Sequence, residues 1–159
     1  IASGEYTITT IIGIGSKSDI IIEGHGDATI LKTTSIDRIF NMDNVTNIVF
    51  KNLRLQTGYS GIGMHVNAGN VNNLMFENVT FEFLSGIGDT SKPFQLNADY
   101  DYMNKNVSFL NCRFINNDTT QAVRGIWVYG VDGLHIIDCR FYGAILNKVQ
   151  MPGNFASRN

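Results

Sequence analysis

Residues that cross-link a chain or favour helices are scarce in this sequence. Two cysteines in 159 residues are too few for a disulfide framework in a chain of this size. Alanine and leucine together make up only 16 residues, and this shortage of strong helix formers excludes a helical bundle. No stretch approaches the roughly 18 consecutive apolar residues that cross a bilayer, so we expect neither a transmembrane helix nor a membrane partner.

Charge is also scarce, and it is nearly balanced. Charged residues make up 16% of the chain, and the formal net charge is −2. A nucleic-acid-binding protein needs a basic surface, so nucleic acid is not an expected partner. Apolar residues make up 43% of the chain, which is enough to bury a core and excludes intrinsic disorder.

Asparagine, isoleucine and glycine are abundant instead. The chain contains 18 Asn, 19 Ile and 16 Gly, so three residue types account for a third of it. β-Branched residues favour strands, whereas Asn and Gly favour turns. The composition therefore predicts many strands joined by tight turns.

A sequence pattern recurs along the chain. Related segments begin at Asp19, Asn47, Asn73, Asn106 and Gly133, with spacings of 28, 26, 33 and 27 residues. Internal repeats of this length indicate a solenoid. A leucine-rich repeat is the nearest alternative, but its period is shorter.

The pattern inside each repeat indicates strands joined by a sharp bend. Ile48 and Phe50 occupy alternate positions, as inward residues of a strand do. After Asn52 the inward apolar residues move from even to odd positions, at Leu53 and Leu55. Both halves face one core only if the chain bends at the Asn, which tolerates the left-handed conformation. Equivalent positions are predicted to form a turn ladder, in which side chains hydrogen-bond from coil to coil: Gly24, Asn52, Asn78, Asn111 and Asp138.

A further strand in each coil follows a variable loop, so the sequence predicts an all-β parallel β-helix of about five coils with three strands each. The predicted core stacks are Ile20/Ile48/Leu74/Val107/Leu134, Ile22/Phe50/Phe76/Phe109/Ile136, Leu55/Phe81/Phe114/Phe141, Phe40/Met64/Phe94/Ile126 and Met42/Val66/Leu96/Val128. Cys112 and Cys139 follow Leu53 and Val79 in another stack, where adjacent parallel strands give poor geometry for a disulfide, so both are expected to be reduced. Residues 1–159 are expected to form one β-helix domain cut from a longer chain.

The opening of the chain carries a family resemblance. Gly4-Glu-Tyr-Thr-Ile8, followed by the segment from Ile20 to Leu31 with its Gly-His-Gly-Asp-Ala-Thr turn, is similar to the first coils of right-handed parallel β-helices of the pectate-lyase-like superfamily. The resemblance covers residues 4–150 and is strongest to bacteriophage tailspikes and tail appendages. It implies that carbohydrate lies along the first strand of each coil, between walls formed by the variable loops.

Outward residues of that first strand are the candidate binding site for carbohydrate. An indole ring beside amides and cations suits a sugar, because the ring packs on its apolar face and the polar groups donate to hydroxyl or acidic groups. The alternative is that the single tryptophan packs under a loop or at a subunit contact. The candidates are Asn41, His65, Gln95, Arg124, Trp127 and Tyr129.

Candidate catalytic groups are less well defined. Glycoside hydrolysis needs paired carboxylates, and no two acids are predicted to stack on the first strand. The remaining candidates are in loops or just after strands, where acids are usually solvated: Asp89, Asp99, Asp118 and Asp132. No histidine or cysteine cluster suggests a metal site, and no cofactor is predicted.

A row of outward apolar residues suggests an assembly. Ile21, Val49, Met75 and Ile137 are predicted to point away from the core, and exposed apolar rows mark packing surfaces. Either an N-terminal helix outside this sequence or another subunit is expected to cover the row. Tailspikes resemble three β-helices side by side, so a homotrimer is expected. The neighbouring row of Arg54, Thr80, Arg113 and Arg140 is basic and is predicted to face solvent or an acidic partner.

The resemblance implies a tailspike or appendage protein of a virion tail, or another extracellular location, that recognises cell-surface polysaccharide and in some members depolymerises it. Two alternatives remain. One is a bacterial polysaccharide lyase or glycoside hydrolase, and the other is a non-catalytic structural rod or adhesin. Whether the chain is an enzyme stays open at this point.

Overall fold

A computed structural model describes residues 1–98 and 104–151. Its strands wind as a right-handed parallel β-helix of about five turns, which confirms the predicted fold. One short 3₁₀ helix, Gly26–Ala28, is the exception to this all-β structure in the described part.

The described residues form thirteen strands of the solenoid. Their bounds are β1 (Gly4–Thr7), β2 (Ile12–Gly15), β3 (Ser18–Glu23), β4 (Thr29–Thr33), β5 (Arg38–Thr57), β6 (Met64–Phe83), β7 (Lys92–Asn97), β8 (Asn104–Leu110), β9 (Arg113–Asn116), β10 (Val123–Val128), β11 (Val131–Ile137), β12 (Arg140–Tyr142) and β13 (Ile145–Gln150). The two long strands, β5 and β6, each run through a whole coil, because the bends inside them do not break the pairing with the adjacent coils.

The strands form three parallel faces around the core. The first face consists of β2, the starts of β5 and β6, β7, β10 and β13. The second face contains β3, the middle parts of β5 and β6, β8 and β11. The third face contains β1, β4, the ends of β5 and β6, β9 and β12.

Like residues stack on one another in the core of the second and third faces, as predicted. Phe76 lies between Phe50 and Phe109, with ring centroids 5.1 and 5.0 Å away. Phe114 lies 5.0 Å from Phe81 and 4.7 Å from the ring of Phe141. These phenylalanines form columns along the axis of the solenoid, where burial and ring stacking both favour the coiled arrangement.

The predicted register of the first face was wrong by two residues in one coil. Phe40 pairs with Val66 rather than with Met64, and Met42 pairs with Ala68. Met64 instead lies at the edge of the face, beside Arg38. A shift of two residues keeps the same side chains pointing inward, so the alternation of apolar residues does not reveal the error.

The turn ladder between the second and third faces is confirmed at its three asparagines, whereas Gly24, in the first coil, lacks the positive φ of the other members. Asn52, Asn78 and Asn111 all have positive φ, between 51° and 54°. The amide of Asn78 donates to Asn52 Oδ1 at 3.1 Å, and the amide of Asn111 donates to Asn78 Oδ1 at 2.6 Å. A second ladder, which sequence reasoning missed, joins Asn73 Nδ2 to Asn47 Oδ1 at 2.9 Å.

Both cysteines are free thiols. Cys112 is buried and Cys139 is half-buried, in adjacent coils at the predicted stack position. Their sulfurs donate to main-chain carbonyl oxygens at 3.4 Å, Cys112 to Phe76 and Cys139 to Phe109. Their structural role is therefore that of small core residues.

Candidate functional site

The outward row of the first face is the candidate site. Asn41 pairs with Asn67, Asn67 with Gln95, and Gln95 with Trp127, so these side chains form one row across four coils. The row agrees with the prediction for Asn41, Gln95 and Trp127, but Asn67 takes the place predicted for His65.

The prediction that His65 faces the groove is wrong. Its side chain is fully buried, because it turns into the corner where the end of β6 meets the start of the first face. Its Nε2 donates to the Glu82 carbonyl oxygen at 2.8 Å, and its ring lies 4.7 Å from that of Phe83. Its Nδ1 is buried without a hydrogen-bond partner among the described residues. His65 is thus a core residue that a sugar cannot reach.

Burial makes His65 an acid-sensitive point of the fold. Desolvation lowers the pKa of His65 from 6.5 to about 4, so the unfolded chain binds a proton below pH 6.5 that the folded chain excludes. The free energy of unfolding is therefore not reduced by His65 above pH 6.5, and it falls as the pH drops towards 4. Lowering the pH from 7 to 4.5 is expected to reduce the free energy of unfolding by about 2–3 kcal/mol through protonation of His65 in the unfolded chain.

Urea unfolding of His65→Gln at both pH values measures that contribution. The variant is expected to lose less stability on acidification than the wild type. His135→Gln, which removes an exposed histidine, is the matched control and should respond as the wild type does. An equal response of His65→Gln and the wild type would contradict the buried, neutral state of His65.

An amide network that the sequence analysis missed runs along the first face. Asn67 Nδ2 donates to Asn41 Oδ1 at 2.9 Å, and Asn97 Nδ2 donates to Asn67 Oδ1 at 2.9 Å. Gln95 Nε2 donates to Asn97 Oδ1 at 2.7 Å. The signal was present as an Asn between two apolar residues in both Phe-Asn-Met and Val-Asn-Ala. These bonds hold the amides in a fixed polar surface.

Trp127 is at the end of this row, and two cationic side chains contact its ring. The ring is half-buried. The guanidinium carbon of Arg124 lies 4.5 Å from the ring centroid, and Lys92 Nζ lies 5.3 Å from it. Tyr129 lies on the same side, with its ring centroid 6.0 Å from that of Trp127. The structure therefore brings Arg124, Trp127 and Tyr129 together as predicted, and adds Lys92.

The two cations are close enough to repel each other. Desolvation lowers the pKa of Lys92 from its usual value, and the positive charge of Arg124 lowers it further. Contact with the negative face of an indole ring partly offsets that repulsion. We call Lys92, Arg124 and Trp127 the cation–indole cluster.

A cleft of about 200 Å³ opens beside Arg124. Its wall is the stack of loops that precede the first face. These loops pack closely, since a Cβ on Gly88 would lie 2.4 Å from the Gly61 carbonyl oxygen. Thr90 is held at φ 61°, a strained conformation for a β-branched residue. The residues lining the cleft are Asp89, Thr90, Gln121, Ala122, Arg124 and Leu146.

The candidate acids do not gather at one point. Asp118 is buried, and its carboxylate accepts hydrogen bonds from the backbone of Thr120, Gln121 and Gly86 at 2.7 to 2.8 Å. Hydrogen bonds from Thr120 above all hold the pKa of Asp118 well below its usual range. Asp118 therefore ties two loops together.

The other acids lie apart from one another. Asp89 is exposed in the loop before the first face, whereas Asp132 is exposed at the start of β11, after the first face. A first-face strand of about 20 Å separates these two ends, and paired glycosidase carboxylates are at most about 10 Å apart. Asp99 lies outside the described residues.

The row of basic residues on the third face is largely neutralised within the chain. Asp27 forms ion pairs with Arg54 and Arg113, and the buried Glu82 lies 3.4 Å from Arg54 Nε. Arg140 is exposed and has no ion-pair partner in the described ranges. The acidic partner expected for this row is thus mainly the chain's own Asp27.

The apolar row of the second face differs in one member from the prediction. Ile21, Val49 and Met75 are in register, but the row continues with Ser108 and His135. Ile137 is in the next row, beside Leu110. Together Ile21, Val49, Met75, Leu110 and Ile137 form a diagonal stripe, the second-face stripe. Its end residues, Ile21 and Ile137, are 63% and 51% exposed.

Two features are absent from the described part of the chain. Among residues 1–98 and 104–151, no group of three or more His, Cys, Asp or Glu side chains is arranged to hold a metal ion. In the same ranges no helix has the length and apolar character needed to cross a membrane.

Comparison with known proteins identifies two solved structures with a similar fold. One, from Parabacteroides merdae ATCC 43184, is described as a "putative glycosyl hydrolase"; it has a TM-score of 0.59 and 15% identity, over 99% of this chain and 79% of that one. The other is ORF18 of Geobacillus virus E2, with a TM-score of 0.52 and 14% identity, over 94% of this chain and 44% of that one. No family model and no curated protein matches the sequence. At these identities the likeness shows the fold alone.

Proposed function

We propose that this β-helix recognises cell-surface polysaccharide, as a module of a bacteriophage tailspike or tail appendage. It would act on the virion tail, outside the host cell. The observation that carries the proposal is the first face itself: a row of fixed amides ends at a half-buried indole flanked by two cations. Such a combination binds the hydroxyl groups and the apolar face of a sugar ring.

The solved structures support the two parts of this proposal separately. The Parabacteroides merdae protein is described as a "putative glycosyl hydrolase", and the other structure is a viral protein. The present chain spans less than half the length of the viral protein, 44% of it. One scaffold hosts many functions, so the first face of this chain, rather than its fold, carries the argument.

Binding is favoured over cleavage by the placement of the candidate acids that the structure describes. Asp118 is occupied by hydrogen bonds within the loops, and Asp89 and Asp132 are on opposite sides of the first face. A purely structural rod would not need an outward Trp127 in contact with two cations. The same assays that measure binding can test for new reducing ends or unsaturated products, which would reveal a depolymerase.

Replacing Trp127 by alanine tests the proposal directly. An array of capsular polysaccharides, O-antigens and plant and algal polysaccharides is used to select a glycan that the wild-type chain binds. Trp127→Ala is expected to lower the affinity for that glycan at least about tenfold, or ~1.4 kcal/mol, because the ring contact and the placement of Arg124 are both lost.

The control is Tyr142→Ala, which removes an exposed aromatic side chain from the third face. It should bind as the wild type does, and both variants should melt near the wild-type temperature. Unchanged affinity of Trp127→Ala, or no glycan bound by the wild type, would contradict the proposed function.

We further propose that the chain assembles as a homotrimer through the second-face stripe, because exposed apolar rows of this kind mark packing surfaces. Sedimentation equilibrium at micromolar concentration is expected to give three times the 17.6 kDa mass of the chain. Ile21→Glu, which places a charge in the stripe, should shift the mass towards that of one chain. A wild-type monomer would contradict this proposal and leave the first-face site unaffected.

A further inference from the structure

The cation–indole cluster differs from Arg38, another cationic residue of the first face. Arg38 is paired with the neighbouring carboxylate of Asp37. Lys92 and Arg124 have no carboxylate within 4.0 Å among the described residues, although the two are close enough that Arg124 lowers the pKa of Lys92. Two cations held together without an anion form a site that an anionic ligand stabilises.

The geometry of Arg124 suits a planar anion. Its guanidinium carbon lies 4.5 Å from the Trp127 ring centroid, and contact with the ring limits its orientation. It donates no hydrogen bond to a described residue, so its N–H groups are available. A guanidinium fork binds a carboxylate through two parallel hydrogen bonds, whereas the ammonium of Lys92 adds a point charge.

The neighbouring cleft limits the size and charge of the group. Its volume of about 200 Å³ is below the roughly 300–1,000 Å³ of pockets for drug-sized ligands, so it suits one sugar unit of a chain. Asp89 lines the same cleft and would repel a phosphate dianion more strongly than a carboxylate. Thr90, at φ 61°, also lines it, and strained residues of this kind cluster where ligands bind.

We infer that Arg124 and Lys92 bind the carboxylate of an acidic sugar whose ring packs beside Trp127. The polysaccharide recognised by the first face therefore contains uronic acid or another carboxylated sugar. This inference rests on the proposed function and adds to it the chemical class of the glycan.

Carboxyl reduction of the glycan separates the inference from the proposed function. The chain is titrated with polygalacturonate, alginate and hyaluronan, with the carboxyl-reduced form of each, and with neutral dextran and dextran sulfate. At least one acidic glycan is expected to bind, and its carboxyl-reduced form is expected to bind at least about tenfold more weakly, since reduction removes the charge and keeps the ring.

Two variants identify the residue responsible. Arg124→Gln should lower the affinity for the acidic glycan about tenfold and leave the affinity for the reduced form unchanged. Arg124→Lys keeps the charge but loses the fork, and should give an intermediate affinity. Arg140→Gln removes the same charge from the third face and should bind as the wild type does. Circular dichroism and the melting temperature establish that each variant is folded.

Each other outcome overturns the inference. If a reduced or neutral glycan binds as tightly as its acidic form, the proposed function stands and the inference fails. If no glycan of either kind binds, both fail. If dextran sulfate binds as tightly as the acidic glycans, and Arg124→Gln and Arg140→Gln weaken binding equally, the attraction is general charge and no carboxylate site exists.

Discussion

Replacing Phe76 by alanine is expected to destabilise the protein by about 3–5 kcal/mol, because it leaves a large cavity in the middle of the aromatic column. The ring is fully buried and stacks on Phe50 and Phe109 at 5.1 and 5.0 Å. The rings of Phe81 and Phe94 also contact it edge-on, at 5.4 and 5.6 Å. Strands on both sides hold the site open, so it cannot collapse easily.

Urea unfolding followed by circular dichroism measures this loss. Phe141→Ala is the matched control, because Phe141 ends the column of Phe81 and Phe114 in the described residues, is only partly buried, and stacks on one ring, that of Phe114. It should cost about half as much as Phe76→Ala. If Phe76→Ala costs no more than Phe141→Ala, the column is not continuous through the core.

Replacing Asn78 by alanine is expected to cost about 2–3 kcal/mol although its side chain is exposed. Asn78 donates to Asn52 and accepts from Asn111, so the change removes two hydrogen bonds between coils. Its φ is 53°, and alanine loses about 1 kcal/mol in this left-handed region. Glycine tolerates that conformation, so Asn78→Gly should lose only the hydrogen bonds and cost about 1–2 kcal/mol.

The difference between the two variants isolates the backbone contribution from that of the amide. Asn72→Ala is the control, since Asn72 is exposed in the same strand without a positive φ or a side-chain hydrogen bond in the described residues. Its effect should stay within about 0.5 kcal/mol. Equal stabilities of Asn78→Ala and Asn72→Ala, measured by urea unfolding, would show that the ladder contributes nothing.

The second and third faces could be predicted from the sequence because two independent signals agree there. Alternating apolar residues give the strands, and the parity flip at Asn52 and its equivalents gives the bend. Since both signals recur at the same place in every coil, one alignment satisfies all of them, and the stacking of Leu55 on Phe81 follows.

The first face offered only one of those signals. In Met64-His-Val66-Asn-Ala68 every second residue is apolar, so a shift of two residues satisfies the alternation equally well. The variable loops before this face remove the fixed spacing that would have chosen between registers. Only Asn67, which pairs with Asn41, indicated the correct register. Aligning His65 with Asn41 instead placed His65 in the predicted groove.

Alternation alone does not explain why Arg124 and Trp127 lie on the same side of the first face, although both were candidate site residues. The pairing of β10 with β13 shifts between Arg124 and Ile126, and such an irregularity re-aims side chains that strict alternation would send to the other face. Gly125 permits the close approach, because a Cβ there would lie 2.0 Å from the Lys148 carbonyl oxygen. The burial of His65 similarly depends on its packing against the end of β6, a contact that the alternation of residues within one strand does not predict.

The stacking of successive coils is the central claim, and nuclear Overhauser effects between backbone protons test it most directly. Leu74 pairs with Val107 and Val107 with Leu134 in parallel register, so contacts between backbone protons should link these residues in that order. The side-chain amide protons of Asn78 should likewise show contacts to Asn52 and to Asn111. Contacts confined to residues close in sequence, or contacts that join these strands in antiparallel register, would contradict the account.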